Sequence, residues 1–483
     1  MSDVSPVVRS PRARPGWARR LGAAAMAVTL AVTAAASPLL APLALAQGQP
    51  KLPIVRDAET EALLKDYMAP VLRAAGLARQ NIEVTLINDR AFNAFVADGR
   101  RIFVFLGTLV DAKTPNEVIG VLAHETGHIA GGHLARMRQQ LAAAQSASIV
   151  AFLLSLGAVA AGAASGSTRD SNLGSAVGGI VTGPQEMIRR SLLSYQRGEE
   201  QAADRAAVNY LHATKQSPKG MLDTFRRIGD QNLFISRGVD PYTLSHPLPR
   251  ERISQLEELV AKSPYRDVRD SPALQLRHDL MRAKIIGFFD KPDTVARRYP
   301  LSDTSLPARY ARAISAYRFN QVNDAIRQID ALIAAQPDNP YFHELKGQAL
   351  LESARPNEAI APLRRAAAMA PRATPIRIML GQALVASGSK ANADEAIREL
   401  SQALANETTA VDGFRQLALA YGRKGDYANA DLASAQAAIA SGEFQTARQL
   451  AARAKTRFAN GSPGWIKADD IENYKPPKLD GKS

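Results

Sequence analysis

His124-Glu125-Thr126-Gly127-His128 is the run in this sequence whose residue types and spacing together specify a chemistry. On a helix, His124 and His128 leave the same face about one turn apart. Two neutral imidazole nitrogens at that separation suit a tetrahedral zinc ion, with bonds of about 2.0–2.1 Å. Glu125 points beside that face, placed to hold a water and take its proton. The flanks read as helix without help from the motif. Thr114-Pro115-Asn116-Glu117 has the form of a capping box with proline at the first helical position. Val118, Val121, Leu122 and Ile129 then recur at helical spacing. Two histidines on a solvated helix face are the bland alternative, and the apolar flanks count against it.

A catalytic zinc needs three protein ligands, with a fourth position left for water. One known extension of the motif places a third histidine beyond a glycine. Here Gly131 fits, but the required position holds Leu134, and His133 comes one place early and about a hundred degrees around the helix. A glutamate from a later helix is the other common solution. Arg197-Gly198-Glu199-Glu200-Gln201-Ala202-Ala203-Asp204 supplies it, with Glu200 and Asp204 on one face. Glu200 is the expected ligand and Asp204 the residue that orients an active-site histidine. Glu199 competes for the ligand role, but its partner four residues on is Ala203. Taken alone, the segment also reads as an ordinary surface acidic pair. His246 lies in the proline-stiffened Ser245-His246-Pro247-Leu248-Pro249, ahead of a helix that opens near Arg250. From there it can reach a metal site, to occupy the open position or to donate to the oxyanion of a tetrahedral intermediate.

Together these residues resemble the zinc peptidase family of the CAAX prenyl protease and HtpX, of the gluzincin type. HETGH, Glu200-x-x-x-Asp204, His246-Pro247 and Arg252-Ile253 carry the resemblance. Asn93-Ala94-Phe95, ahead of the strand-like residues 101–106 and Gly107-Thr108-Leu109, adds to it. The resemblance implies one Zn2+ per chain on His124, His128 and Glu200, with Glu125 as base and His246 regulating or assisting at the metal. It also implies a strand beside the metal helix that aligns substrate backbone by edge pairing. Val96-Ala97-Asp98-Gly99-Arg100 is more polar than the family's apolar-Pro-Gly turn at the rim of the substrate cleft.

The elements that must position these residues follow from the rest of the chain, whose 483 residues are too many for one ordinary core. Residues 1–46 have the order of a signal peptide: five arginines, an apolar run, prolines at 38 and 42, then Ala44-Leu45-Ala46. A retained anchor is the competing reading, since residues 21–46 nearly span a bilayer. Arg19-Arg20 leaves the Sec and twin-arginine routes both open. Residues 47–265 make the expected metallopeptidase domain. Within it, about 147–183 form an apolar, then glycine-rich insert, which reads as a lid or client-touching segment, a buried hairpin or a membrane-dipping stretch. From 270 to 457 the texture changes to alanine-rich helix pairs. Ala313, Gly347 and Gly381 stand 34 apart, as do Ala325 and Ala359, Ile329 and Leu363, and Pro337 and Pro371. That period is the TPR pattern, with small residues where paired helices approach and prolines where the second helix closes. Residues 458–483 form a tail. The expected fold class is mostly α: an α+β zincin-like metallopeptidase domain followed by an α-helical TPR solenoid.

The sequence has no cysteine, which excludes disulfides, thiolate metal sites and a lipid anchor on cysteine. Of the net charge of +14, residues 1–46 account for +4, leaving +10 on the remainder. No basic run interleaved with aromatics marks a nucleic-acid surface, so acidic clients or anionic lipid suit the charge better. The expectation is a periplasmic zinc endopeptidase, with peripheral membrane contact left open. By the resemblance, its clients are unfolded or stalled outer-membrane proteins, and the outer-membrane β-barrel assembly machinery is a partner through the repeats. The rival reading is a latent peptidase that acts as a TPR adaptor or chaperone.

Overall fold

A computed structural model describes residues 53–97, 99–137, 139, 196–234, 246, 250–319, 321–405 and 407–476. The leader expected over 1–46 and the insert expected at about 147–183 lie outside the described residues.

Four short strands form one sheet in the order β1-β2-β4-β3. They are β1 (Ile54–Val55), β2 (Glu83–Ile87), β3 (Ala94–Val96) and β4 (Arg101–Phe105). The β2–β4 pair is parallel, from Glu83 opposite Arg101 to Ile87 opposite Phe105, whereas β1 and β3 run antiparallel to their neighbours. The run Ile102-Phe103-Val104 is β-branched and aromatic and is buried throughout, as suits an inner strand. Among the described residues β3 is an edge strand, and it lies against the metal-motif helix.

That helix is α3 (Pro115–Gly131), preceded by α1 (Ala58–Ala74) and α2 (Leu106–Asp111). Its N-terminus is built as the capping pattern expects on one side only. Thr114 accepts from the Glu117 amide at 3.4 Å, while the Glu117 carboxylate turns to Arg227 at 2.7 Å. Residues 118, 119, 121, 122 and 123 are all buried, so α3 is sunk into the core on most sides. Next come α4 (196–213), α5 (Lys219–Phe234) and α6 (Arg250–Ala261). α4 crosses α3 at Gly127, where a Cβ would stand 2.9 Å from the Ala203 carbonyl oxygen. Only glycine allows that approach, and it brings the carboxylates of α4 to the histidines of α3.

The remaining elements are helices: α7 (Pro272–Phe289), α8 (Pro292–Arg298), α9 (Leu306–Arg318), α10 (Val322–Ala335), α11 (Pro340–Glu352), α12 (Pro356–Met369), α13 (Thr374–Ala386), α14 (Ala393–Leu404), α15 (Val411–Lys424), α16 (Tyr427–Ser441), α17 (Phe444–Lys455) and α18 (Pro463–Glu472). The 34-residue register maps onto pairs. Ala313, Gly347 and Gly381 fall in the first helices α9, α11 and α13, and Ala325 and Ala359 in the second helices α10 and α12. Leu363 packs over Gly347 and Leu400 over Gly381, so the small positions are where the paired helices meet. The tail contributes a helix of its own: Ser462 caps α18, which packs on α17 and α16, with Lys455 over the Trp465 ring.

From Pro53 onward the chain forms one compact unit. One hydrophobic cluster runs from Leu63 and Tyr67 on α1, through Val121 and Leu122 on α3, to Met281 on α7, Tyr310 on α9 and Phe342 on α11. The core therefore continues across the stretch 265–270.

Candidate metal centre

His124, His128, Glu200 and His246 each offer one ligand atom, and these four atoms lie within 4.8 Å of one another. The Nε2 atoms of His124 and His128 are 3.1 Å apart. Glu200 Oε2 is 3.3 Å from His124 Nε2, and its Oε1 is 3.3 Å from His128 Nε2. His246 enters from the far side, with Nδ1 3.0 Å from Glu200 Oε1 and Nε2 3.2 Å from the Ala94 carbonyl of β3. Nitrogen and carboxylate donors in this number and closeness fit a zinc ion.

Glu125 lies next to this group with no exposed surface. Among the described residues neither of its buried carboxylate oxygens has a hydrogen-bond partner, and His246 Nε2 stands 3.5 Å from Oε1. A buried carboxylate without partners is costly unless a water or cation lies against it. Burial, only partly offset by His246 and His124, raises the Glu125 carboxyl above its ordinary range.

Asp204 stands behind His124, its Oδ1 2.9 Å from Nδ1, which turns Nε2 toward the shared point. Arg252 of α6 braces both α4 carboxylates. Its Nε and Nη2 donate to Asp204 at 2.5 and 2.9 Å, and its Nη1 sits 2.7 Å from Glu200 Oε2. The guanidinium also lies over the Phe225 ring, 4.9 Å from its centre.

The field at this point is negative. Burial opposes ionisation of Glu200, but His246 together with hydrogen bonds from His124 and His128 holds its carboxyl well below the usual range. Burial likewise works against Asp204, and Arg252 overcomes it. Burial lowers His124, yet Asp204 and Glu200 more than compensate and raise it to about 9. His128 has less support, and burial brings it down to about 3, which leaves a neutral donor. The proton that His124 would hold marks a place that attracts positive charge, and a cation there substitutes for it.

The structure thus brings all six expected residues, His124, Glu125, His128, Glu200, Asp204 and His246, to one buried point. Glu199 faces away from it, toward His133, with Oε2 2.6 Å from Nε2. Two contributions were not read from the residues alone. Arg252 entered the sequence reading only through the family resemblance. His133, set aside as a ligand, lies 2.8 Å from His128 through their Nδ1 atoms.

Residues 58–260 match peptidase family M48. The chain is 25% identical over 400 residues to a β-barrel assembly-enhancing protease of Yersinia pestis, an alignment covering 80% of this chain and 77% of that one. A putative β-barrel assembly-enhancing protease of Vibrio cholerae is 26% identical, with 60% of this chain and 58% of that one covered. For the β-barrel assembly-enhancing protease of Escherichia coli K12 the figures are 23%, 65% and 63%. The chain therefore spans less than two thirds of the Vibrio and Escherichia proteins. Among solved structures, MamA is 22% identical over 33% of this chain and 90% of its own, at a TM-score of 0.27, too slight a likeness to argue from. The H-E-x-x-H helix and the later glutamate both lie inside this family match, so residues 58–260 form a peptidase family M48 domain, the domain of a metalloendopeptidase.

Proposed function

We propose that this chain is a zinc-dependent endopeptidase that cleaves unfolded or misassembled proteins in the periplasm, as part of outer-membrane protein quality control. The observation that carries the catalytic half is the convergence of His124, His128 and Glu200 beside the buried carboxylate of Glu125, which has no hydrogen-bond partner among the described residues. His124, His128 and Glu200 hold the metal. Zinc bound there supplies Lewis acidity to a water and to a peptide carbonyl. Glu125 takes a proton from the attacking water and returns it to the leaving amine, a role its raised carboxyl suits. Asp204 fixes the tautomer of His124, and Arg252 holds Asp204 and Glu200 in place. β3, an edge strand beside α3, offers backbone groups for pairing an extended substrate.

The setting is supported by the names of the relatives, β-barrel assembly-enhancing proteases, and by the leader-like residues 1–46. The helical solenoid offers a surface for recruiting stalled clients and for binding the β-barrel assembly machinery. Among the described residues no helix is long and apolar enough to cross a membrane.

Metal content of the purified chain, beside a His128→Ala control, tests the reading first. About one zinc per chain, lost in the control, is expected. Zinc absent from both, even after refolding with metal, overturns it. Glu125→Gln should then retain the zinc while cleavage of an unfolded substrate falls by at least about 100-fold.

A second reading, latency, is favoured by the place of His246, whose ring stands where a water or substrate carbonyl would enter and whose Nε2 covers the Ala94 carbonyl of the edge strand. His246→Ala should raise turnover of an unfolded substrate if the side chain blocks the site. A fall would assign it an assisting role instead.

A further inference from the structure

We propose that His133 is a positioning residue for His128, held in turn by Glu199 and Arg136. The inference rests on the reading that His128 is a metal ligand.

The chain of contacts leaves one consistent set of tautomers. His128 directs Nε2 toward the other donors, so in a neutral ring bound through that atom the proton sits on Nδ1. That Nδ1–H has His133 Nδ1 2.8 Å away, which must accept. His133 then carries its own proton on Nε2 and donates it to Glu199 Oε2 at 2.6 Å. Arg136 holds Glu199 with a two-pronged contact, Nε to Oε1 at 3.1 Å and Nη2 to Oε2 at 2.7 Å. Glu199 thus anchors the ring behind one histidine, as Asp204 anchors the ring of the other at 2.9 Å. The adjacent carboxylates of α4 divide the work: Glu200 faces the donor cluster, and Glu199 faces the back of it.

The backbone is shaped for this contact. Five residues along a continuing helix, His133 would point about 140° away from His128. α3 instead ends at Gly132, whose φ of 67° is left-handed and turns the chain back. Gly131 lacks the Cβ that would collide with the His133 ring, and Arg136 also donates to the Gly131 carbonyl. A histidine used only as filler would need neither glycine. Partners behind a metal-bound histidine set its orientation and donor strength, and losing one typically weakens metal affinity roughly 10- to 100-fold.

The test is the zinc affinity of the full-length chain, measured by competition with a chromophoric chelator, alongside the melting temperature of each metal-free protein. His133→Phe keeps a flat ring but offers no acceptor to His128, and a roughly 10- to 100-fold loss is expected. His133→Asn places a carbonyl oxygen near the position of Nδ1 and should recover most of that loss. If His133→Phe does not fold, Gly131→Ala, which displaces the ring while leaving His133 in the chain, is read in its place. Wild-type affinity in the phenylalanine variant overturns the proposal. So does an equal loss in both His133 variants with a matching fall in their metal-free melting temperatures, which would mark a packing role. Wild-type chain that binds no zinc overturns the metal reading itself, and this inference with it.

Discussion

Arg252 is buried among two carboxylates, a histidine and a phenylalanine ring, so its worth lies in what its removal would leave behind. Arg252→Met keeps the bulk but strands Asp204 and Glu200 without their cation. Loss of one partner from a buried ion pair costs about 3–5 kcal/mol. The metal-free chain should show that loss in urea denaturation, and added zinc should recover part of it by supplying positive charge to the same carboxylates. Unchanged stability without metal would show that the carboxylates are satisfied some other way. At this scale the sequence speaks where partners are near along the chain. His124 and His128 are one turn apart, and helical phase alone separates Glu200 from Glu199. The Arg252 contact to Asp204 spans 48 residues, and nothing in Arg250-Glu251-Arg252 distinguishes the buried arginine from its neighbour. His133 was hidden by the assumption that the helix continues, which the left-handed Gly132 ends.

Helices α3 and α4 carry the donors between them, and their spacing is set where Gly127 meets the backbone of Ala203. Backbone cannot rotate aside as a side-chain tip can. Gly127→Ala should therefore push the two helices apart, with a cost of about 1–3 kcal/mol from overpacking. Zinc affinity should fall with it, because Glu200 moves away from His124 and His128. Denaturation with and without zinc separates the two effects, and a variant with native affinity would mean that the helices adjust elsewhere. The helix-pair region was legible at this scale because a repeat displays its pattern several times. Positions 347 and 381 meet their partner helices in the same way, each under a leucine of the second helix. Nothing repeats in the tail, and the Ser462-Pro463 start of α18 is a helix signal too short to stand out in a segment rich in proline, glycine and lysine.

At the scale of the molecule, one lysine joins the N-terminal helix to the repeats. Lys284 of α7 lies 2.5 Å from Asp57, 3.6 Å from Glu59 and 3.2 Å from Glu344 of α11, and Tyr310 of α9 donates to Glu59 at 3.0 Å. One cation cannot neutralise three carboxylates. Burial opposes ionisation of Asp57, but Lys284 keeps it ionised. Burial, aided by the charge of Asp57, instead pushes Glu59 up to about 7. Above the ordinary glutamate value and below about 7, the native state holds a proton that the unfolded chain has released. Stability from this group is therefore fully present at pH 4 and is lost as the pH rises toward 7. Glu59→Gln should remove that slope, gaining about 2–3 kcal/mol over wild type at pH 7.5 relative to pH 4.5. Denaturation midpoints at the two pH values check it, and parallel curves would show that Glu59 titrates normally. The mostly α class with a small sheet was legible from motif and repeat. The merging of the two halves was not, since Asp57, Glu59, Lys284 and Glu344 look like ordinary surface charges in sequence.

This cluster also bears on how the chain is made. A ribosome releases Asp57 and Glu59 more than two hundred residues before Lys284, and Glu344 follows some sixty residues later. The apolar face of α1 shares its cluster with Phe342 and Ala349. The first helix of the peptidase therefore finds α3 early, but its surroundings are complete only after about two hundred and ninety further residues are synthesised. Nascent chains stalled just after residue 265 should accordingly be cut along α1 more readily than the finished chain, and full protection should set in only once α11 has emerged.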